Sequence, residues 1–212
     1  GAGGTIATAE VARATPDGYT IGFASQGTLV FNQALYAKPG YDSARDFSPI
    51  AFLGGVSNVM IVHPKHPARA PRDMVEAAKK RPGELSFSSG GSGTSHHLSG
   101  VLFGQTTGTQ LLHVPYKGSP QGILAVMSEE VAMGFFNTPT VLGQIKSGKL
   151  KAMGVVPGIF DLIILADGKA FGRDKAAAAQ GAATTDPDAI RRFAAALDAR
   201  LRKAPLADEP AS

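Results

Sequence analysis

The sequence predicts an α/β fold built on a mainly parallel sheet, and three observations point there. Apolar runs of strand length alternate with helical patterns between residues 5 and 156, which is the signature of βαβ units. Glycine is abundant, at 26 of 212 residues, and several glycines stand where an apolar run gives way to a helix. No run reaches the roughly 18 apolar residues of a membrane span; the longest stretch, 159–166, is broken by Asp161.

The elements follow in order. Residues 5–14 read as a helix that starts at Gly1-Ala2-Gly3-Gly4 and stops at the turn cluster Thr15-Pro16-Asp17-Gly18. Residues 19–24 read as a short buried strand, leading into polar Ser25-Gln26-Gly27-Thr28. A helix over 29–36 and an irregular connection over 38–48 come next. Residues 50–54 and 59–63 read as two strands, the second stopped by Pro64. Pro71 suits the first turn of a helix over 72–80, where its missing N–H costs nothing. The block from Leu85 is the most regular: strand 85–88, glycine-rich loop 89–95, helix 96–107, strand 111–114, helix 120–127, strand 131–135, helix 138–146 and strand 150–156. The pattern changes after Pro157. Residues 175–185 are alanine-rich, and a helix is expected over 186–203, capped by Asp186, with Ile190, Phe193, Ala194, Leu197 and Leu201 on one face.

Composition excludes several classes. The net charge is +4 and the basic residues are scattered, whereas a nucleic-acid binder clusters them on a stripe. Cysteine is absent, so there is no thiolate metal site and no cysteine nucleophile. The five histidines have no metal-ligand spacing, since His96 and His97 are adjacent and diverge on a helix. Neither a metal nor a cofactor is expected.

The sharpest local feature is Ser88-Ser89-Gly90-Gly91-Ser92-Gly93-Thr94-Ser95, between a strand and a helix. The first N–H groups of a helix lack intrahelical partners and lie at its positive end, so an anion is favoured there. A flexible loop with an ordinary Ser/Thr cap is the competing reading. There is no Gly-Lys-Ser/Thr ending, no Gly-x-Ser-x-Gly and no G-x-G-x-x-G, which argues against a P-loop, a nucleophile elbow and a dinucleotide site. Ser25-Gln26-Gly27-Thr28 repeats the logic at an earlier strand end. Tyr116-Lys117-Gly118 offers a hydroxyl and a cation, and His97 stands at the start of the helix beside the glycine loop.

Gly1-Ala2-Gly3-Gly4-Thr5-Ile6-Ala7, Pro16-Asp17-Gly18-Tyr19-Thr20, Tyr41-Asp42 with Asp46-Phe47, the loop over 91–98, His113-Val114-Pro115-Tyr116-Lys117-Gly118 and Gly148-Lys149-Leu150 together resemble the Bug family. These are the periplasmic receptors of tripartite tricarboxylate transporters. The resemblance runs from residue 1 to about residue 156. It implies a type II periplasmic-binding fold of two Rossmann-like lobes that close on a small carboxylate. It also implies a site of loop N–H groups, hydroxyls and waters. Carried over by motif, that site comprises Ser25, Gly27 and Thr28 with Gly91, Ser92, Gly93, Thr94, Ser95, His97 and Tyr116. The implied division is a partial first lobe over 1–82, a second α/β lobe over 83–157 and a divergent tail over 158–212, whose helix returns to the first lobe. The sequence departs from the family by lacking an upstream strand and loop, and by carrying Phe136-Asn137 where relatives commonly have an Asp.

The expected function is therefore a solute-binding receptor for a small di- or tricarboxylate, not an enzyme. The expected location is the periplasm, although these residues include no signal peptide, and the expected state is a monomer. Its partners would be the ligand and the membrane permease subunits, with no nucleic acid. Two alternatives stand beside it: an α/β enzyme acting on an anionic substrate, and a truncated receptor fragment without function.

Overall fold

The computed structural model describes residues 2–17 and 19–167; the helix expected over 186–203 and most of the tail lie outside them. The elements are α1 (Thr5–Arg13), β1 (Ile21–Ala24), α2 (Asn32–Leu35), β2 (Ser48–Val62), α3 (Pro71–Lys80), β3 (Ser86–Ser89), α4 (Ser95–Thr107), β4 (Leu112–Pro115), α5 (Ser119–Met127), β5 (Met133–Asn137), α6 (Thr138–Lys146) and β6 (Lys151–Asp167). They form one six-stranded sheet in the order β1-β6-β2-β5-β3-β4.

Around β3 the sheet is parallel, as the βαβ pattern predicts: β3 pairs in parallel with both β4 and β5. Its other half is antiparallel, which corrects the expectation of a mainly parallel sheet. β2 runs antiparallel to β5 and β6, and β1 antiparallel to β6. The two strands expected over 50–54 and 59–63 are one, because β6 accompanies β2 from Ser48 to Val62. Gly54 and Gly55 look like a break, yet they lie inside the ladder, whose register shifts absorb the irregularity. For the same reason the strand expected over 150–156 continues to Asp167. The strand expected to be buried over 19–24 is a short edge strand instead, with Phe23 73% exposed.

Alternation along the central strands places apolar side chains on both faces. Met60 and Val62 of β2, with Met133 and Phe135 of β5, pack against Met74 and Ala78 of α3 and Phe103 of α4. Val59, Ile61 and Phe136 point the other way, toward Ile123 and Val126 of α5 and Val141 of α6. Burial on both faces is why these strands read as nearly continuous apolar runs. A third cluster, Phe31 and Leu98 with Val30 and Leu102, fastens the turn preceding α2 to α4. Pro71 opens α3 as expected, and the Asp73 carboxylate accepts from the Ala70 N–H at 3.0 Å.

Gly100 shows close packing beneath the α4 start. A Cβ there would overlap the Phe87 ring. Helix propensity alone would favour Ala by about 1 kcal/mol, but overpacking a tight core costs about 1–3 kcal/mol, and the overlap with a fully enclosed ring wins. Gly100→Ala is expected to lower the urea midpoint; a raised midpoint would show that Phe87 has room to move.

Candidate functional site

The parallel strands β3, β4 and β5 end at Ser89, Pro115 and Asn137, and each hands the chain to a helix on the same edge of the sheet. The first turns of α4, α5 and α6 carry no acidic residue. No carboxylate of these turns therefore offsets the positive ends of the three helix dipoles. Thr94 caps α4, its Oγ1 accepting from the His97 N–H at 3.4 Å and donating to the Gly91 carbonyl at 2.7 Å. The start of α5 lies close by, since a Cβ on Gly90 would stand 3.1 Å from Ser119 N.

Facing this junction are the residues at the start of the chain and those after β1. A Cβ on Gly27 would fall 2.9 Å from the Gly93 carbonyl oxygen, and one on Gly3 would overlap the Ser92 carbonyl. Gly93 and Gly3 also have φ of +81° and +58°, in the region where glycine is favoured. Tyr36 Oη donates to the Ser92 carbonyl at 3.1 Å across this contact; burial raises its pKa, which preserves the O–H donor. Gly27 is therefore brought against Gly93 and Thr94, and Gly3 against Gly91 and Ser92.

The individual side chains are placed as follows. Ser25 and Thr28 cap one another: the Ser25 N–H donates to Thr28 Oγ1 at 2.9 Å, and the Thr28 N–H donates to Ser25 Oγ at 3.4 Å. Tyr41 Oη donates to the Thr28 carbonyl. Ser95 is buried, at 1% exposure. His97 is turned into the fold, where Nδ1 accepts from the Gly93 N–H at 3.3 Å and the ring stacks on His113 at 4.1 Å. The Tyr116 hydroxyl points elsewhere, donating to Glu130 at 2.9 Å. Sequence reasoning missed Asn32 and Tyr36, which carry no motif. It also missed His113 as a support for the loop.

Beneath the loop runs a directional hydrogen-bond chain. The Gly90 N–H donates to His96 Nδ1 at 3.4 Å, so His96 Nε2 carries the proton and donates to Asn137 Oδ1 at 3.0 Å. Asn137 Nδ2 donates to Asn58 Oδ1, and Asn58 Nδ2 to Ser99 Oγ, each at 2.9 Å. Asn137 thus points inward, and Phe136 is core, its ring 4.9 Å from that of His96. Ser89 Oγ lies 2.7 Å from His113 Nε2, a hydroxyl–imidazole pair of the kind that a hydrolytic enzyme uses. Ser89 is wholly buried and also accepts from the Gly91 N–H at 3.1 Å. The pair braces the loop and offers no approach to a substrate.

Burial lowers the pKa of His97 from 6.5 to about 4. Burial, then the neighbouring His97 charge, lowers that of His113 to about 3. Both folded values lie below the unfolded value, so the unfolded chain binds more protons throughout the intervening window. Stability is fully present above pH 6.5 and is lost as pH falls toward 4, at up to about 1.4 kcal/mol per pH unit for each histidine. Urea melts at pH 7, 5.5 and 4.5 are expected to show this slope, and His97→Gln to remove about half of it. A slope unchanged by the substitution would contradict the assignment.

The chain is similar to known proteins. The family described as tripartite tricarboxylate transporter family receptor, TctC, matches residues 1–160. Protein BugT of Bordetella pertussis is 32% identical over 157 residues, covering 74% of this chain and 48% of BugT. The chain spans about half the length of the curated relatives it matches. Among solved structures, one described as a periplasmic transporter is 32% identical with a TM-score of 0.75, over 96% of this chain and 71% of that one. An R. palustris protein solved with adipate superposes with a TM-score of 0.79 over 96% of this chain and 82% of its own; at 24% identity it speaks for the fold alone. By match and by fold, this chain belongs to the receptor family of tripartite tricarboxylate transporters and is built as a periplasmic binding protein.

Proposed function

We propose that the chain is a periplasmic receptor that captures a small di- or tricarboxylate at the junction where the 25–28 turn meets the 90–95 loop. It would then deliver the ligand to the membrane permease subunits of a tripartite transporter. The observation that carries this reading is the acid-free set of helix N-termini at one sheet edge, α4, α5 and α6. A bound carboxylate supplies the charge that those ends lack. A crevice outside the carboxyl ends of parallel strands is also where α/β sheets bind ligands. The adipate held by the R. palustris protein belongs to the same chemical class.

In this reading Gly27 and Thr28 face the ligand from one side, and Gly91, Ser92, Gly93, Thr94 and Ser95 from the other. Ser25 shapes the first turn by its reciprocal cap with Thr28, and His97 supports the second from beneath. Tyr116 has no direct role, because its hydroxyl is held by Glu130. Closure would bend the sheet where β2 and β6 change register between Ser57 and Val59. Delivery needs no covalent chemistry from the chain, and the buried Ser89 hydroxyl beside His113 supplies none.

Calorimetric titration of the folded chain with succinate, adipate and citrate at neutral pH tests the reading. At least one of these acids is expected to bind. Gly93→Ala, which forces a side chain at positive φ onto Asn32, is expected to weaken that binding at least tenfold. A folded chain that binds none of them, nor any aromatic acid, would contradict the proposal.

A further inference from the structure

Asn32 opens α2 and is wholly buried. Its Nδ2 donates to the Gly3 carbonyl at 3.0 Å. Its Oδ1 has no hydrogen-bond partner. That oxygen points into the seam where the two glycine junctions meet: a Cβ on Gly3 would stand 3.4 Å from it, and one on Gly93 would overlap it. The Gly93 Cα thus covers an acceptor with a C–H group, where a buried carbonyl oxygen ordinarily finds an N–H or O–H.

The starts of α4, α5 and α6 at this edge of the sheet present donors. Helix-start N–H groups suit a carboxylate, and a carboxylate oxygen brought against Asn32 Oδ1 would be repelled. A group satisfying both needs is an acid that carries its own O–H or N–H near the carboxylate. We propose that Asn32 is a specificity-determining residue, its Oδ1 accepting a hydrogen bond from a hydroxyl or amino group that the bound acid carries beside its carboxylate. This rests on the carboxylate reading of the site. The Nδ2–Gly3 bond fixes which end of the amide faces the seam, so the acceptor is presented without a choice of orientation. The cover over it belongs to a loop with two positive-φ glycines, Gly91 and Gly93, and a ligand entering the seam displaces a C–H contact and not a hydrogen bond. A site with a buried acceptor rejects the analogue that lacks the donor, because that acceptor then stays unpaired.

Matched acids test this by calorimetry: succinate against each enantiomer of malate, and glutarate against 2-hydroxyglutarate. Wild type is expected to bind the hydroxylated member about tenfold or more tightly than its parent. Asn32→Leu, close in volume and without an acceptor, is expected to bind both members equally, at the affinity of the parent. Asn32→Ala, smaller and likewise without an acceptor, is expected to lose the preference in the same way, which guards against a Leu variant that fails to fold. Equal binding of parent and hydroxylated acids by wild type overturns the inference and leaves the carboxylate reading intact. A preference that survives in a folded Asn32→Leu chain does the same. Failure of every acid to bind wild type removes both.

Discussion

Two stretches of backbone can touch only where side chains are missing, and this contact governs the geometry of the site. Gly3 meets the Ser92 carbonyl, Gly27 the Gly93 carbonyl, and Gly93 in turn lies on Asn32. Any β-carbon at Gly3 or Gly93 would part the seam, which would withdraw Gly27 from Thr94 at the start of α4. The contact is not left to the glycines alone. The Phe31–Leu98 cluster holds the two segments together from behind, and the Tyr36 hydroxyl spans them in front. Dispersion and apolar burial supply the attraction, while the glycines set how near the chains can come.

The electrostatic logic of the loop follows from what lies under it. Two of its N–H groups, those of Gly90 and Gly93, are taken by neutral imidazoles. The first of these imidazoles passes the bond through Asn137 and Asn58 to Ser99, deep in the sheet. A chain of this kind is satisfied at every step, so its burial fixes the loop without the cost of an orphan. It also keeps positive charge out of the support, because a protonated imidazole cannot accept. Peptide dipoles then contribute to the field at the site, a mode that can recognise anions without a partnering arginine.

Much of this was legible in the sequence, and the unread parts have specific physical causes. The regular block from Leu85 onward matched because β3 and β5 are buried strands, and because its helices start at the Thr94 cap or carry a proline in their first turn. The antiparallel half was misread because Gly54-Gly55 carries a turn signal that a long partner strand overrides. Phe23 looked like a core residue, but pattern cannot distinguish an edge strand from a central one. At the site, the glycine junctions announced themselves by composition. Asn32 and Tyr36 did not, since an Asn and a Tyr on a short helix gain meaning only from the distant loop they meet, 56 residues away for Tyr36 and Ser92. His97 was read as a ligand contact; its ring nitrogen is spent on the loop backbone.

The central claim is that a carboxylate is held jointly by the 25–28 turn and the 90–95 loop. Amide-resolved 1H–15N NMR of the full chain during titration with a dicarboxylate addresses it most directly. The account predicts saturable shifts at Gly27 and Thr28 together with Ser92 and Thr94, all following one binding curve. Shifts confined to one of the two segments, or lying on the α5–α6 surface instead, would contradict it.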